Sequence, residues 1–201
     1  MPYRNVRSQP MNSAIDRAIA LMSDFHAPWA LAGGWALDVF VGRQSRTHDD
    51  IDIGILRADQ QQLRSRVSGR VEKVVAGQLA EWAPTEVLEL PVHEIHVMWP
   101  DGYRLEFLLN EHDPLTDEWV FRRDSRIRRS LALAFATDRS APYLAPEIAL
   151  LYKAKAPSTK DDADFNMVVP HLHQEQRSWL ARALDVAAPG HRWASILVRE
   201  A

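Results

Sequence analysis

The sequence predicts an α/β fold: a mixed sheet flanked by helices, with a small helical part towards the C-terminal end. Three observations predict it. Short apolar runs interleave with amphipathic helical segments through the first half of the chain. Asp50-Ile-Asp-Ile-Gly-Ile55 alternates strictly between polar or small residues and isoleucine, the period of a half-buried strand. Beyond residue 145 the strand signals give way to successive helical segments.

Taken in order, Ser13 to Phe25 carries Ile15, Ala18, Ile19, Met22 and Phe25 on one helical face, with Asn12 or Ser13 as N-cap. Pro28 ends that helix, and Trp29 to Ala32 reads as a short buried strand entering Gly33-Gly34. Trp35 to Phe40 is helical, with Gly42 placed as a C′ residue, and polar Arg43 to Asp49 forms a loop before the alternating strand. Asp59 is placed as the cap of a helix to about Val67, and Val71 to Val75 as a strand. Glu94 to Trp99 and Tyr103 to Leu109 flank Pro100-Asp-Gly102, the strongest hairpin signal in the chain. Trp119 to Phe121 suits a further short strand. Pro146 suits N1 of a helix through Lys155, Thr159 is placed as cap of a second towards Val169, and Gln174 to Val186 forms a third. A composition shift near residues 137–145 divides the chain into a core, 1–136, and a helical region, 137–201.

Composition narrows the function classes. The 201 residues are 46% hydrophobic and 25% charged, which fits a globular chain and excludes wholesale disorder. A net charge of −3 gives no broad cationic surface for a nucleic-acid backbone, so nucleic acid is disfavoured as a partner. Without cysteine there is neither a disulfide framework nor a thiolate metal site. The polar start, Met1 to Pro10, lacks a signal-peptide core, and no apolar run is long enough for a membrane helix; a cytoplasmic protein is expected. Lysine occurs only at 73, 153, 155 and 160, so the last three form a conspicuous cluster.

The chemistry concentrates around one strand. Residues two apart on a strand project to the same face, so Asp50 and Asp52 point together while Ile51 and Ile53 face the core. Two carboxylates on one face repel unless a cation lies between them, and hard oxygen ligands suit Mg²⁺ or Mn²⁺. Asp49 points away by the same parity and takes a structural or loop-capping role. Gly33-Gly34 lies between a strand and a helix, where backbone N–H groups and the positive helix end favour phosphate. Lys153 and Lys160 are point charges of the kind that offset a bound phosphate. Asp161 and Asp164 share a helical face, and either bind a cationic acceptor, act as base, or serve the helix dipole. Glu147 reads as a first-turn charge. Trp35 and Trp99 are large enough to stack on a base, although packing suits each equally. The remaining histidines show no helical metal-binding spacing, and neither a Walker-type loop nor a Gly-x-Ser-x-Gly elbow is present.

The run Gly33-Gly-Trp-Ala-Leu-Asp38, then Gly42-Arg43, then Arg46-Thr-His-Asp-Asp-Ile-Asp-Ile53 resembles the aminoglycoside nucleotidyltransferases, within the DNA polymerase β-like nucleotidyltransferase superfamily. The resemblance is to the 2″-adenylyltransferase branch over residues 29–55. The segments Tyr143-Leu-Ala-Pro-Glu-Ile-Ala-Leu-Leu-Tyr-Lys-Ala-Lys155 and Lys160-Asp-Asp-Ala-Asp-Phe165 resemble a subgroup placed with it. The resemblance implies a nucleotidyltransferase fold. It also implies that Gly33 and Gly34 hold a nucleoside triphosphate and that Asp50 and Asp52 ligate the metal. Arg46 and His48 match basic loop residues that touch phosphate or brace the aspartates. The superfamily's third carboxylate falls on Glu106, where the characterised family often has Asp. Glu106 is therefore a metal ligand or the base for an acceptor hydroxyl, or else a partner of Arg104 on the same strand face.

The implied activity is metal-dependent transfer of a nucleoside monophosphate, AMP from ATP, to a hydroxyl of a small molecule. The implied acceptor is an aminoglycoside-type antibiotic, which would make the protein a resistance factor. Two alternatives stay open: transfer to a protein or RNA, as in toxin-type members, and nucleotide binding without turnover.

Overall fold

The computed structural model describes residues 11–98 and 104–199. Helix α1 (Met11–Met22) starts before both expected caps and ends ahead of Phe25, which is nevertheless buried. Strand β1 (Trp29–Leu31) leads into α2 (Gly33–Val41), which ends on Gly42 in the left-handed region at φ 80°. The amide of Gly42 donates to the carbonyls of Asp38 and Val39, closing the helix as its position in the sequence predicts. Strand β2 (Ile51–Leu56) follows the polar loop, with Ile51, Ile53 and Ile55 fully buried on its rear face.

A 3₁₀ turn (Arg57–Asp59) precedes α3 (Gln60–Arg66), and the Asp59 side chain makes no capping hydrogen bond. Strands β3 (Val71–Val75) and β4 (Gln78–Glu81) form a hairpin through Ala76 and Gly77, both with positive φ. The β4 strand was not anticipated, because its exposed side chains show no buried face. Strands β5 (Glu94–Met98) and β6 (Arg104–Asp113) pair antiparallel as the hairpin signal predicts. The turn itself, Pro100-Asp-Gly102, and Trp99 lie outside the described residues.

Next come β7 (Glu118–Val120), β8 (Arg128–Ser130), a single helical turn α4 (Leu131–Ala134), β9 (Phe135–Ala136) and β10 (Tyr143–Leu144). The sheet runs β4-β3-β5-β6-β2-β1-β10-β9, with β7 pairing β6 and β8. It is mixed: β2 pairs β6 and β1 pairs β10 in parallel, and the other pairs are antiparallel.

Helix α5 (Pro146–Lys153) begins with Pro146 in its first turn, as expected. Helix α6 (Thr159–Val168) is capped by Ser158 rather than Thr159: Ser158 Oγ accepts from the Asp161 amide, and Asp161 accepts from the Ser158 amide. Helices α7 (Gln174–Ala187) and α8 (Arg192–Arg199) complete the chain; the short α8 was not anticipated. Trp35, Trp82, Trp119 and Trp193 are among the largest fully buried side chains, and each indole N–H finds an acceptor, as burial requires.

Glu147 has a larger role than a first-turn charge. It is 1% exposed and accepts from Arg129 at 2.8 Å and from Gln176 at 3.0 Å, joining α5 to β8 and α7. Among the described residues no helix is long and apolar enough to cross a membrane.

Candidate active site

Register builds the site. Because β2 and β6 are parallel, Asp52 stands beside Glu106, and β5 on the far side of β6 places His96 opposite Glu106. The isoleucines behind Asp50 and Asp52 anchor the strand, so the carboxylates are presented on a rigid element. Arg104 Nη2 lies 2.6 Å from Asp50 Oδ2 and 2.8 Å from Glu106 Oε1, bridging two of the three acids. Glu106 is therefore both the third carboxylate of the cluster and a partner of Arg104.

Electrostatically the cluster is short of positive charge. Burial, then the charges of Asp50 and Glu106, push the Asp52 carboxyl up to about 8. Burial and Asp50 likewise raise Glu106, against the opposing pull of Arg104. Asp50, just ahead of β2, and Asp52 and Glu106, side by side on β2 and β6, are hard oxygen donors of the type that suits Mg²⁺ or Mn²⁺. Glu94, His96 and Glu106 bring one ligand atom each within 4.8 Å of one another, extending the set across β5. Sequence spacing missed His96 because strand pairing, rather than helical periodicity, delivers it.

The glycine turn is shaped first by this chain's own side chains. Gly33 has φ 54°, and a Cβ there would overlap the Asp52 carboxylate. A Cβ on Gly34 would overlap the His48 ring and the Arg46 guanidinium. No side chain caps α2, so its N-terminal end is left for other acceptors. Gly33→Ala is expected to cost at least about 1 kcal/mol through left-handed strain alone, with crowding of Asp52 in addition. Thermal denaturation reads this, and a variant melting with the wild type would refute the crowding.

The basic loop braces rather than dangles. His48 is buried, its Nε2 lies 2.6 Å from Asp38 Oδ2, and its ring packs at 4.3 Å from Trp35. Arg46 Nη1 lies 2.9 Å from His48 Nδ1. A guanidinium only donates, so His48 Nδ1 accepts from Arg46 and its Nε2–H donates to Asp38. Trp35 is itself held in the core, its indole N–H donating to the Asp50 carbonyl at 2.9 Å. The same loop reaches the far end of the chain: Arg46 Nε pairs with Asp164 Oδ1 at 3.2 Å. Lys153 Nζ then lies 3.0 Å from Asp164 and 2.9 Å from Asp161. Burial alone would raise Asp161, but hydrogen bonds from Lys153 and Ser158 outweigh it and lower its pKa. Asp161 is thereby committed to capping and to Lys153. Lys160 and Asp49 are exposed.

A sheet of this order carrying three clustered carboxylates beside a strand–glycine–helix turn defines the nucleotidyltransferase fold. Comparison with known proteins agrees: the profile of the aminoglycoside-2″-adenylyltransferase family matches residues 14–165. The chain belongs to that family. A 2″-aminoglycoside nucleotidyltransferase from Escherichia coli is 37% identical over 71 residues, 33% of this chain and 40% of the relative, and one from Klebsiella pneumoniae matches to the same extent. The match thus spans well under half of those relatives. In fold, the chain resembles the lincomycin-bound lincosamide adenylyltransferase LnuA (TM-score 0.58, 18% identity, 80% of this chain and 97% of that one). It likewise resembles ANT(2″)-Ia with adenylyl-2″-tobramycin (TM-score 0.58, 16% identity, 88% and 98%).

Proposed function

We propose that this protein transfers AMP from ATP to a hydroxyl of a small antibiotic-like acceptor. The observation that carries the reading is the acidic cluster in which Asp52 stands beside Glu106 and against Gly33, with Asp50 joined to Glu106 through Arg104. Asp50 and Asp52 would hold Mg²⁺ or Mn²⁺, which when bound supplies charge neutralisation at the reacting phosphate. Family membership supports the reaction class, and the fold neighbours hold lincomycin or an adenylylated tobramycin, which supports a hydroxylated antibiotic as acceptor.

The chain's own residues do the rest. The amides opening α2 face an incoming phosphate with the positive end of the helix dipole. The bond from the acceptor oxygen to the α-phosphorus forms as the bond to pyrophosphate breaks. Glu106, freed from Arg104, takes the proton of the acceptor hydroxyl, a role that leaves the metal to Asp50 and Asp52. The Asp38–His48–Arg46–Asp164 chain holds the loop before Asp50 in place and ties it to α6.

Calorimetry with a nonhydrolysable ATP analogue tests the reading. Binding is expected with Mg²⁺, to be lost with EDTA, and to be lost in Asp50→Asn. Magnesium-independent binding that survives Asp50→Asn would overturn the site, and pyrophosphate release with an acceptor panel then identifies the substrate.

A further inference from the structure

Beside Gly33, on β6 and α5, lies a cavity of about 180 Å³, far larger than one water needs. Its polar lining comes from Asn110, Arg122, Arg123, Tyr152 and Lys153, and among the described residues no aspartate or glutamate lines it. Arg122 lies 4.4 Å over the Tyr152 ring, and Arg123 lies 5.4 Å from that ring while donating to the Tyr152 carbonyl at 3.1 Å. The Tyr152 hydroxyl oxygen is buried without a hydrogen-bond partner.

The two arginines contrast with the others near the site. Arg46, Arg57, Arg104 and Arg129 each meet a carboxylate, whereas Arg122 and Arg123 make no ion pair among the described residues. Burial and the like charge of Arg122 lower the proton affinity of Arg123, a sign that no counter-ion from the chain offsets the pair. Adjacent guanidinium groups fixed by a shared aromatic ring, with the buried Tyr152 hydroxyl in the same lining, form a fork suited to phosphate oxygens. Position selects which phosphate. Gly33 separates the cavity from Asp52, so a nucleotide whose α-phosphorus sits at the carboxylates runs its tail past Gly33 into this space.

We infer that Arg122, Arg123 and the Tyr152 hydroxyl form the subsite for the β- and γ-phosphates of the nucleoside triphosphate, which leave as pyrophosphate. The inference rests on the nucleotidyl-transfer reading, and it adds residues that no local motif in the sequence marks. Lys153, neutralised by Asp161 and Asp164, contributes at the rim.

The test is calorimetric binding of inorganic tripolyphosphate, AMP and the ATP analogue, all with Mg²⁺. Wild type, Arg122→Gln, Arg123→Gln and Arg122→Lys are compared, with thermal melting to confirm folding. The glutamine variants are expected to lose at least about tenfold in affinity for tripolyphosphate and the ATP analogue. AMP should bind within about twofold of wild type, and Arg122→Lys should recover part of the loss because it keeps the charge. Tripolyphosphate and ATP-analogue affinities unchanged in both glutamine variants would overturn the subsite. An equal loss for AMP would overturn it too, by moving the arginines to the nucleoside. If the analogue needs Mg²⁺ and Asp50 but ignores both arginines, the transfer reading survives and the subsite alone falls. If wild type binds no nucleotide but the arginines still hold tripolyphosphate, the transfer reading falls, and the nucleotide subsite with it, leaving a polyphosphate site.

Discussion

On the proposed reaction, Asp52→Asn is expected to abolish transfer while making the metal-free protein more stable. A metal ion is worth several kcal/mol to such a transition state, so if Asp52 holds one as proposed, its loss should cost about 10³-fold or more in kcat. The stability gain follows from the same environment. The folded Asp52 carboxyl keeps its proton up to about 8, because of burial and the neighbouring Asp50 and Glu106, whereas the ordinary value is 3.8. A raised carboxyl contributes fully below the lower value, and that contribution drains away as pH climbs through the higher one. A shift of this size sets an upper bound of about 6 kcal/mol, which solvent at the partly exposed site reduces to a few. The amide carries no charge, so the variant should melt about 5 °C or more above wild type at pH 8 in EDTA. The two should converge near pH 4, and Mg²⁺ should narrow the gap by stabilising only the wild type. Equal melting temperatures at pH 8 in EDTA would show that Asp52 is not strained in the metal-free fold.

Removing Arg129 should give the largest loss of stability. The Glu147–Arg129 pair is almost fully buried, at 1% and 8% exposure of the two side chains. Arg129 also meets Glu175 at 3.0 Å and sits 5.5 Å from the Trp179 ring. Burial already raises Glu147 even with its partner present. Arg129→Met would leave that carboxylate buried and uncompensated, a cost of about 3–5 kcal/mol, or roughly 10 °C of melting temperature for a chain this size. Protonating Glu147 relieves the cost, so the defect should shrink as pH falls. Pairing the change with Glu147→Gln should restore most of the loss, since two matched neutral groups replace one stranded charge. A single variant melting within about 2 °C of wild type would refute the argument. The expected damage lies far from Asp50, so nucleotide binding by the surviving folded fraction should be unaltered.

Much of the site was legible in sequence because its signals are local. Strand parity predicts buried isoleucines behind the aspartates, and in β2 Ile51, Ile53 and Ile55 are buried while Asp52 is part-exposed; Asp50 falls just before the strand. Gly42 and Pro146 likewise sit where helix-end chemistry predicts. Elements with weak periodicity escaped: β4 exposes most of its side chains, and β8, β9 and β10 are two or three residues long. Caps were less legible than helices, since Ser158 and Thr159 are chemically alike and only backbone geometry chose Ser158.

By itself the sequence determined the fold class, the family and the carboxylate pair, all of which depend on residues two to four apart or on one contiguous motif. Tertiary structure alone decided which charges meet. Register placed Glu106 beside Asp52 and His96 beside Glu106, and packing brought Arg46 to Asp164, 118 positions away. It also turned the glycine pair into clearance for Asp52, His48 and Arg46, and set Arg122 and Arg123 around Tyr152. The physical reason is that periodicity fixes the face on which a side chain points. Its partner is chosen by strand register and by the burial of a shared core, to which residues throughout the chain contribute.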